Sequence, residues 1–91
     1  MAKLAEFYGI IIQMFLESDS RHHRPHFHAR YSGHKAVYAI DQGKIEKIRG
    51  LLPRNKHRQV MEWAEEHRIE LLVAWDLLQE GESPDRIEPL E

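Results

Sequence analysis

The chain contains no cysteine. Disulfide scaffolds, thiolate zinc fingers, thiol redox chemistry and cysteine nucleophiles are therefore excluded. A disulfide-free domain of this size points to a reducing, cytoplasmic setting. Long apolar runs are also missing. Ile10-Ile11-Ile12 is interrupted by Gln13, too short for a signal segment or for the roughly 20 apolar residues of a membrane span. No Gly/Ser linker, internal repeat or low-complexity stretch divides the chain. It carries neither a P-loop nor a G-x-G-x-x-G turn. With 91 residues it is expected to form one domain, 1–91, with a thin core that a partner can complete.

What the chain has in excess is histidine, seven residues against three tyrosines and two tryptophans. Its charge is also sorted along the sequence. The formal net charge of −2 conceals a central block, residues 21–58, with ten lysines and arginines against Asp41 and Glu46. The following block, residues 59–91, holds ten carboxylates against Arg68 and Arg86. Blocks of opposite sign either neutralise each other across a fold or leave a basic face for an anion.

Phe7 to Phe15 is apolar at nearly every position and reads as a strand, with Gly9 marking a bulge or a close backbone approach. His26–Tyr31 and His34–Asp41 alternate in polarity around Ser32-Gly33, the pattern of a two-residue hairpin. Gln42-Gly43 is a further turn, and Lys44–Ile48 a further short strand. After Gly50 the period changes. Val60, Trp63, Ala64, His67, Leu71, Ala74, Trp75 and Leu78 recur at helical steps between Pro53 and Gly81. The expected fold is α+β: a small antiparallel β-meander of about three to four strands, over about residues 7–48, packed against one long C-terminal helix. That helix should cover about 54–80, or be two helices sharing a bend near His67, followed by a tail over 82–91.

A Ser32-Gly33 turn pairs Tyr31 with His34, Ala29 with Ala36 and Phe27 with Tyr38. His26 and His28 then stand side by side on the opposite, polar face with Arg30 and Lys35. Three chemistries fit that cluster. His26 and His28, joined by His22, His23 or Asp41, could ligate a divalent transition metal. The same two imidazoles, beside Arg30 and Lys35, could act as catalytic base and acid on an RNA phosphodiester. Or the histidines simply hold the connection around Pro25 in place. Separately, Arg54, Lys56, His57 and Arg58 crowd the helix start, against the preference of the helix dipole. With Arg21, Arg24, Arg30 and Lys35 they make a candidate phosphate- or nucleic-acid-binding surface.

The segments RPHFHARYSGHKAVYAID, LPRNKHRQVMEWAEEHRIELLVAWDLL and IEPL resemble the small bacterial proteins grouped as domain of unknown function family 4160. The resemblance carries no established reaction. It implies a setting of toxin–antitoxin type, with a small protein encoded by an adjacent gene (domain of unknown function family 2442) as partner and a role in regulating transcription. The motif positions it carries include Pro25, His26, Phe27, His28, Gly33, His34, Pro53, Arg54, Trp63, His67, Arg68 and Trp75. Here Arg24 stands where the usual pattern has a second proline. The resulting expectation is a binding component that offers a basic, His-rich face to nucleic acid or an acidic partner. A small ribonuclease-type toxin and a metal-binding module are the alternatives.

Overall fold

The computed structural model describes residues 1–17, 24–41 and 43–90. Arg21, His22 and His23, candidates above for phosphate or metal, lie outside the described residues.

Five strands form one antiparallel meander in chain order: β1 (Ala2–Phe7), β2 (Ile10–Met14), β3 (His26–Tyr31), β4 (His34–Asp41) and β5 (Lys44–Leu51). Two helices follow, α1 (Arg54–Glu66) and α2 (Arg68–Gln79). The α+β class holds, with five strands and two helices in place of three to four strands and one long helix. The sheet also runs from Ala2 to Leu51, beyond both expected ends.

The first correction comes from backbone handedness. Phe7 to Phe15 is not one strand but the end of β1, a tight turn, and β2. Tyr8 (φ 50°) and Gly9 (φ 80°) both lie in the left-handed region, the geometry that matches a two-residue hairpin to the twist of its strands. Both flanking segments are apolar, so polarity alone does not show the reversal. Ser32 (φ 44°) and Gly33 (φ 87°) build the same turn between β3 and β4. There the register is the one expected, with Tyr31 opposite His34, Ala29 opposite Ala36 and Phe27 opposite Tyr38.

The helical segment takes the second of its two expected forms, two helices with a bend, and not one long helix. A straight helix over 54–80 would run about 40 Å at about 1.5 Å per residue, longer than the 33 Å maximum extent of the molecule. The chain bends at His67 (φ −110°, ψ 23°), yet the Trp63 carbonyl still accepts from His67 N–H and the His67 carbonyl from Leu71 N–H. The His67 ring lies 5.5 Å from the Trp63 ring, and its Nδ1 is 2.5 Å from Glu70 Oε1. The bend keeps the apolar stripes of both helices on the core: Val60, Trp63, Ala64, Leu71, Ala74, Trp75 and Leu78 are all buried.

Trp63 is the centre of that core. It is fully buried, with Phe7 at 5.3 Å and Phe27 at 6.1 Å between ring centroids. Its indole N–H donates to the Glu88 carbonyl at 2.7 Å, which satisfies the polar atom that burial would otherwise penalise. The same contact ties the tail down, as does Ile87 N–H donating to the Leu4 carbonyl at 2.8 Å. The tail therefore closes part of the β1 edge. At the other edge, β5 is guarded by a bulge opposite Val37 and Tyr38 and by Glu65, which accepts from Ile45 N–H at 3.1 Å. Bulges and covering groups of this kind prevent strand-to-strand aggregation.

Candidate functional site

Residues paired across an antiparallel ladder point to the same side of the sheet. The side opposite Phe27, Ala29, Ala36 and Tyr38 therefore carries Ile11 and Gln13 of β2, His28 and Arg30 of β3, Lys35 and Val37 of β4, and Arg49 and Leu51 of β5. Arg30 stands directly opposite Lys35, and Val37 lies between His28 and Arg49. Arg30, Lys35 and Arg49 are all exposed. Two shallow pockets share Lys35: one lined by His28, Val37, Arg49 and Gly50, the other by Ile11, Arg30, Tyr31 and His34. Among the described residues, no carboxylate forms an ion pair with these three cations.

His28 sits at the lower edge of this patch with its ring edge-on to Phe15 at 4.7 Å. Burial, followed by the nearby His26, pushes its imidazole below the usual value. It is thus neutral at neutral pH and gains charge only in acid.

His26 departs from the expectation that both histidines stand exposed. It lies on the same side of β3 as His28, at 5.5 Å between rings, but it is only 8% exposed. α2 lies against the ends of β2 and β3, where Gln79 bonds the Phe15 carbonyl and the Glu17 N–H. Trp75 lies 5.0 Å from the His26 ring. His26 Nδ1 faces the Arg24 carbonyl at 2.8 Å, and Nε2 faces Glu17 Oε1 at 3.0 Å. Both ring nitrogens thus have a partner, and the two contacts hold the ring in place. It is a clamp between β2 and β3.

The remaining sequence candidates are dispersed. Arg24 pairs with Asp41 at 2.6 Å and Glu46 at 3.2 Å, and those carboxylates raise its pKa further. Asp41 is thereby engaged as well. Lys56 donates to the Tyr8 carbonyl at 2.9 Å and covers the Tyr31 ring at 4.6 Å, bracing the first hairpin. Arg54 and Arg58 project from α1, the layer on the other side of the sheet, and His57 Nδ1 is bonded to the Tyr38 hydroxyl at 2.9 Å. Among the described residues, no three His, Asp or Glu side chains converge as a metal site. The structure adds two residues that the sequence reading left out. Arg49 falls beyond the expected strand end at Ile48, and the bulge opposite Val37 and Tyr38, which an unbroken alternation does not show, turns it to the outer face. Glu17 meets His26 through tertiary packing that no local pattern signals.

A family model described as a domain of unknown function (DUF4160) matches residues 9–76. The chain belongs to the DUF4160 family. The matched region runs from the first hairpin to near the end of α2, so every member of the DUF4160 sheet-face cluster lies inside it. No curated protein and no solved structure matches the chain. No described helix of this DUF4160 protein is long and apolar enough to cross a membrane.

Proposed function

We propose that the protein is a polyanion-binding module, and that its ligand is nucleic acid held on the outer face of the sheet by Arg30, Lys35 and Arg49. The observation that carries this reading is the direct cross-strand pairing of Arg30 with Lys35, with Arg49 two strands from His28 and no described carboxylate paired to any of the cations. Like charges directly opposite each other destabilise a sheet; a phosphate placed between them removes that cost and contributes charge-assisted hydrogen bonds. The exposed apolar Leu51, paired with Lys35 across the β4–β5 ladder, flanks the cations and suits the apolar portions of a strand.

Binding fits the geometry better than hydrolysis. An acid–base pair needs two rings that reach the substrate, and His26 is buried with both nitrogens engaged. The cellular setting that we propose is regulatory, within a pair of toxin–antitoxin type that includes a small protein partner. This part of the reading rests on the family resemblance.

The test is binding of a fluorescein-labelled 20-nucleotide single strand to the wild type and to Lys35→Glu/Arg49→Glu. Both residues are exposed, so the variant should fold. The expected result is a loss of at least tenfold in affinity; an unchanged Kd would overturn the assignment.

A further inference from the structure

On the side of the molecule formed by α2 and the C-terminal tail is a groove of about 230 Å³ with Val73, Leu77, Pro84 and Ile87 among its lining residues. Ile69 and Val73, one helical turn apart, are 62% and 53% exposed at its mouth. Leu77 continues the stripe another turn. Large aliphatic side chains in a row at that spacing, left in water on a small domain, are the usual mark of an interaction surface.

The groove's surroundings identify the occupant by charge. Glu70 and Asp85 line it, Asp76 lies further along α2, and Glu66 and Glu80 flank that helix at the end of α1 and just past the end of α2. One cation, Arg86, also lines the groove, and Arg68 stands at the start of α2. Among the described residues the only carboxylate of this set in an ion pair is Glu70, with His67. Carboxylates outnumber cations around the groove, so an acidic ligand is disfavoured, and an apolar floor inside a mainly acidic rim complements a segment that is apolar on one side and basic on the other.

We propose that this groove docks a basic amphipathic helix of a partner protein. The helix lies along the Ile69–Val73–Leu77 stripe, with the tail at Pro84 and Ile87 as its second wall. The stripe runs over nine residues, about 12 Å at a rise of about 1.5 Å per step, so it engages two to three turns of helix. Apolar side chains at i, i+3, i+4 and i+7 fill the floor, and lysines or arginines on the flanks meet Glu70 and Asp85. The groove shares no lining residue with the sheet-face pockets, and either surface can fail without the other.

The probe is a synthetic 14-residue helix with leucine at those four positions and lysine on its flanks, titrated into the full-length ¹⁵N-labelled chain and followed by NMR. The matching peptide with glutamate flanks is the control. Amide shifts should cluster on 69–77 and 84–88, with micromolar affinity, and the glutamate peptide should bind at least tenfold more weakly. Val73→Asp separates a groove from charge alone. It adds a negative charge at an exposed position, so purely electrostatic attraction would strengthen, whereas groove docking should weaken at least tenfold. Equal or tighter binding by Val73→Asp would overturn the proposal. So would shifts spread over all the acidic surface, or a groove already closed by a second copy of the chain in sedimentation.

Discussion

Arg30 and Lys35 face each other across the β3–β4 ladder, one step from the Ser32-Gly33 turn, both exposed. Directly opposed like charges destabilise a sheet by a few tenths of a kcal/mol to about 1 kcal/mol. Lys35→Glu should therefore stabilise the free protein by about 0.5 kcal/mol, read from the urea midpoint, while weakening nucleic-acid binding. A variant that loses both stability and binding would mean that the pair is not repulsive in the folded state.

His26 is placed as a clamp. His26→Ala removes the ring packed near Trp75 and leaves the Glu17 carboxylate without its partner. The expected cost is about 1–3 kcal/mol of stability. Measured well below its melting temperature, the variant should bind a labelled strand within about twofold of the wild type. A folded variant that loses binding outright would return His26 to the ligand site.

His28 gives the pH dependence. Its folded pKa is lowered, chiefly by burial, so the folded state binds fewer protons than the unfolded chain. Its contribution to stability is complete above the unfolded imidazole value of about 6.5 and declines as pH falls through and below it. Urea titrations of the wild type and of His28→Gln at pH 8 and pH 5.5 measure this. The wild type should lose more stability on acidification than the variant; equal losses would show that His28 is not the sensor.

Gly50 holds the sheet face in shape. It has φ 79°, and a Cβ there would fall on the Lys35 carbonyl oxygen and lie 2.9 Å from Ala36 Cα. Both atoms belong to backbone and cannot yield cheaply. Gly50→Ala should cost about 2–4 kcal/mol, combining left-handed strain with overpacking, and should broaden the amide resonances of β4 and β5. A loss below 0.5 kcal/mol, as an order of magnitude for an ordinary surface change, would contradict the close approach.

The β3–β4 hairpin was readable because Ser32-Gly33 and the alternation on either side agree on one register, and that register placed Arg30 beside Lys35. The helical stripe from Val60 to Leu78 was readable for the same reason: period and composition concur. The Tyr8-Gly9 turn was hidden because apolar residues flank it on both sides, so no change of pattern marks the reversal. The bend at His67 leaves the period almost intact, and the length of the molecule, which the sequence does not display, is what a straight helix would exceed. The site was half visible. Charge sorting pointed to residues 21–58, but which cations stay free depends on long-range pairs: Arg24 with Asp41 and Glu46, and Lys56 with the Tyr8 carbonyl. His26 became a buried clamp through Glu17, across the connection from β2 to β3, and through Trp75, which lies far from it in sequence.

The most direct measurement of the central claim is the salt dependence of strand binding by the wild type and by Arg30→Glu/Lys35→Glu. Each phosphate contact on a single strand contributes about −0.7 to the slope of log K against log salt. Contacts from Arg30, Lys35 and Arg49 predict a wild-type slope near −2 between about 50 and 200 mM salt, reduced by more than half in the double variant. A wild-type slope near zero, or an identical slope in the variant, would contradict an anion-binding sheet face.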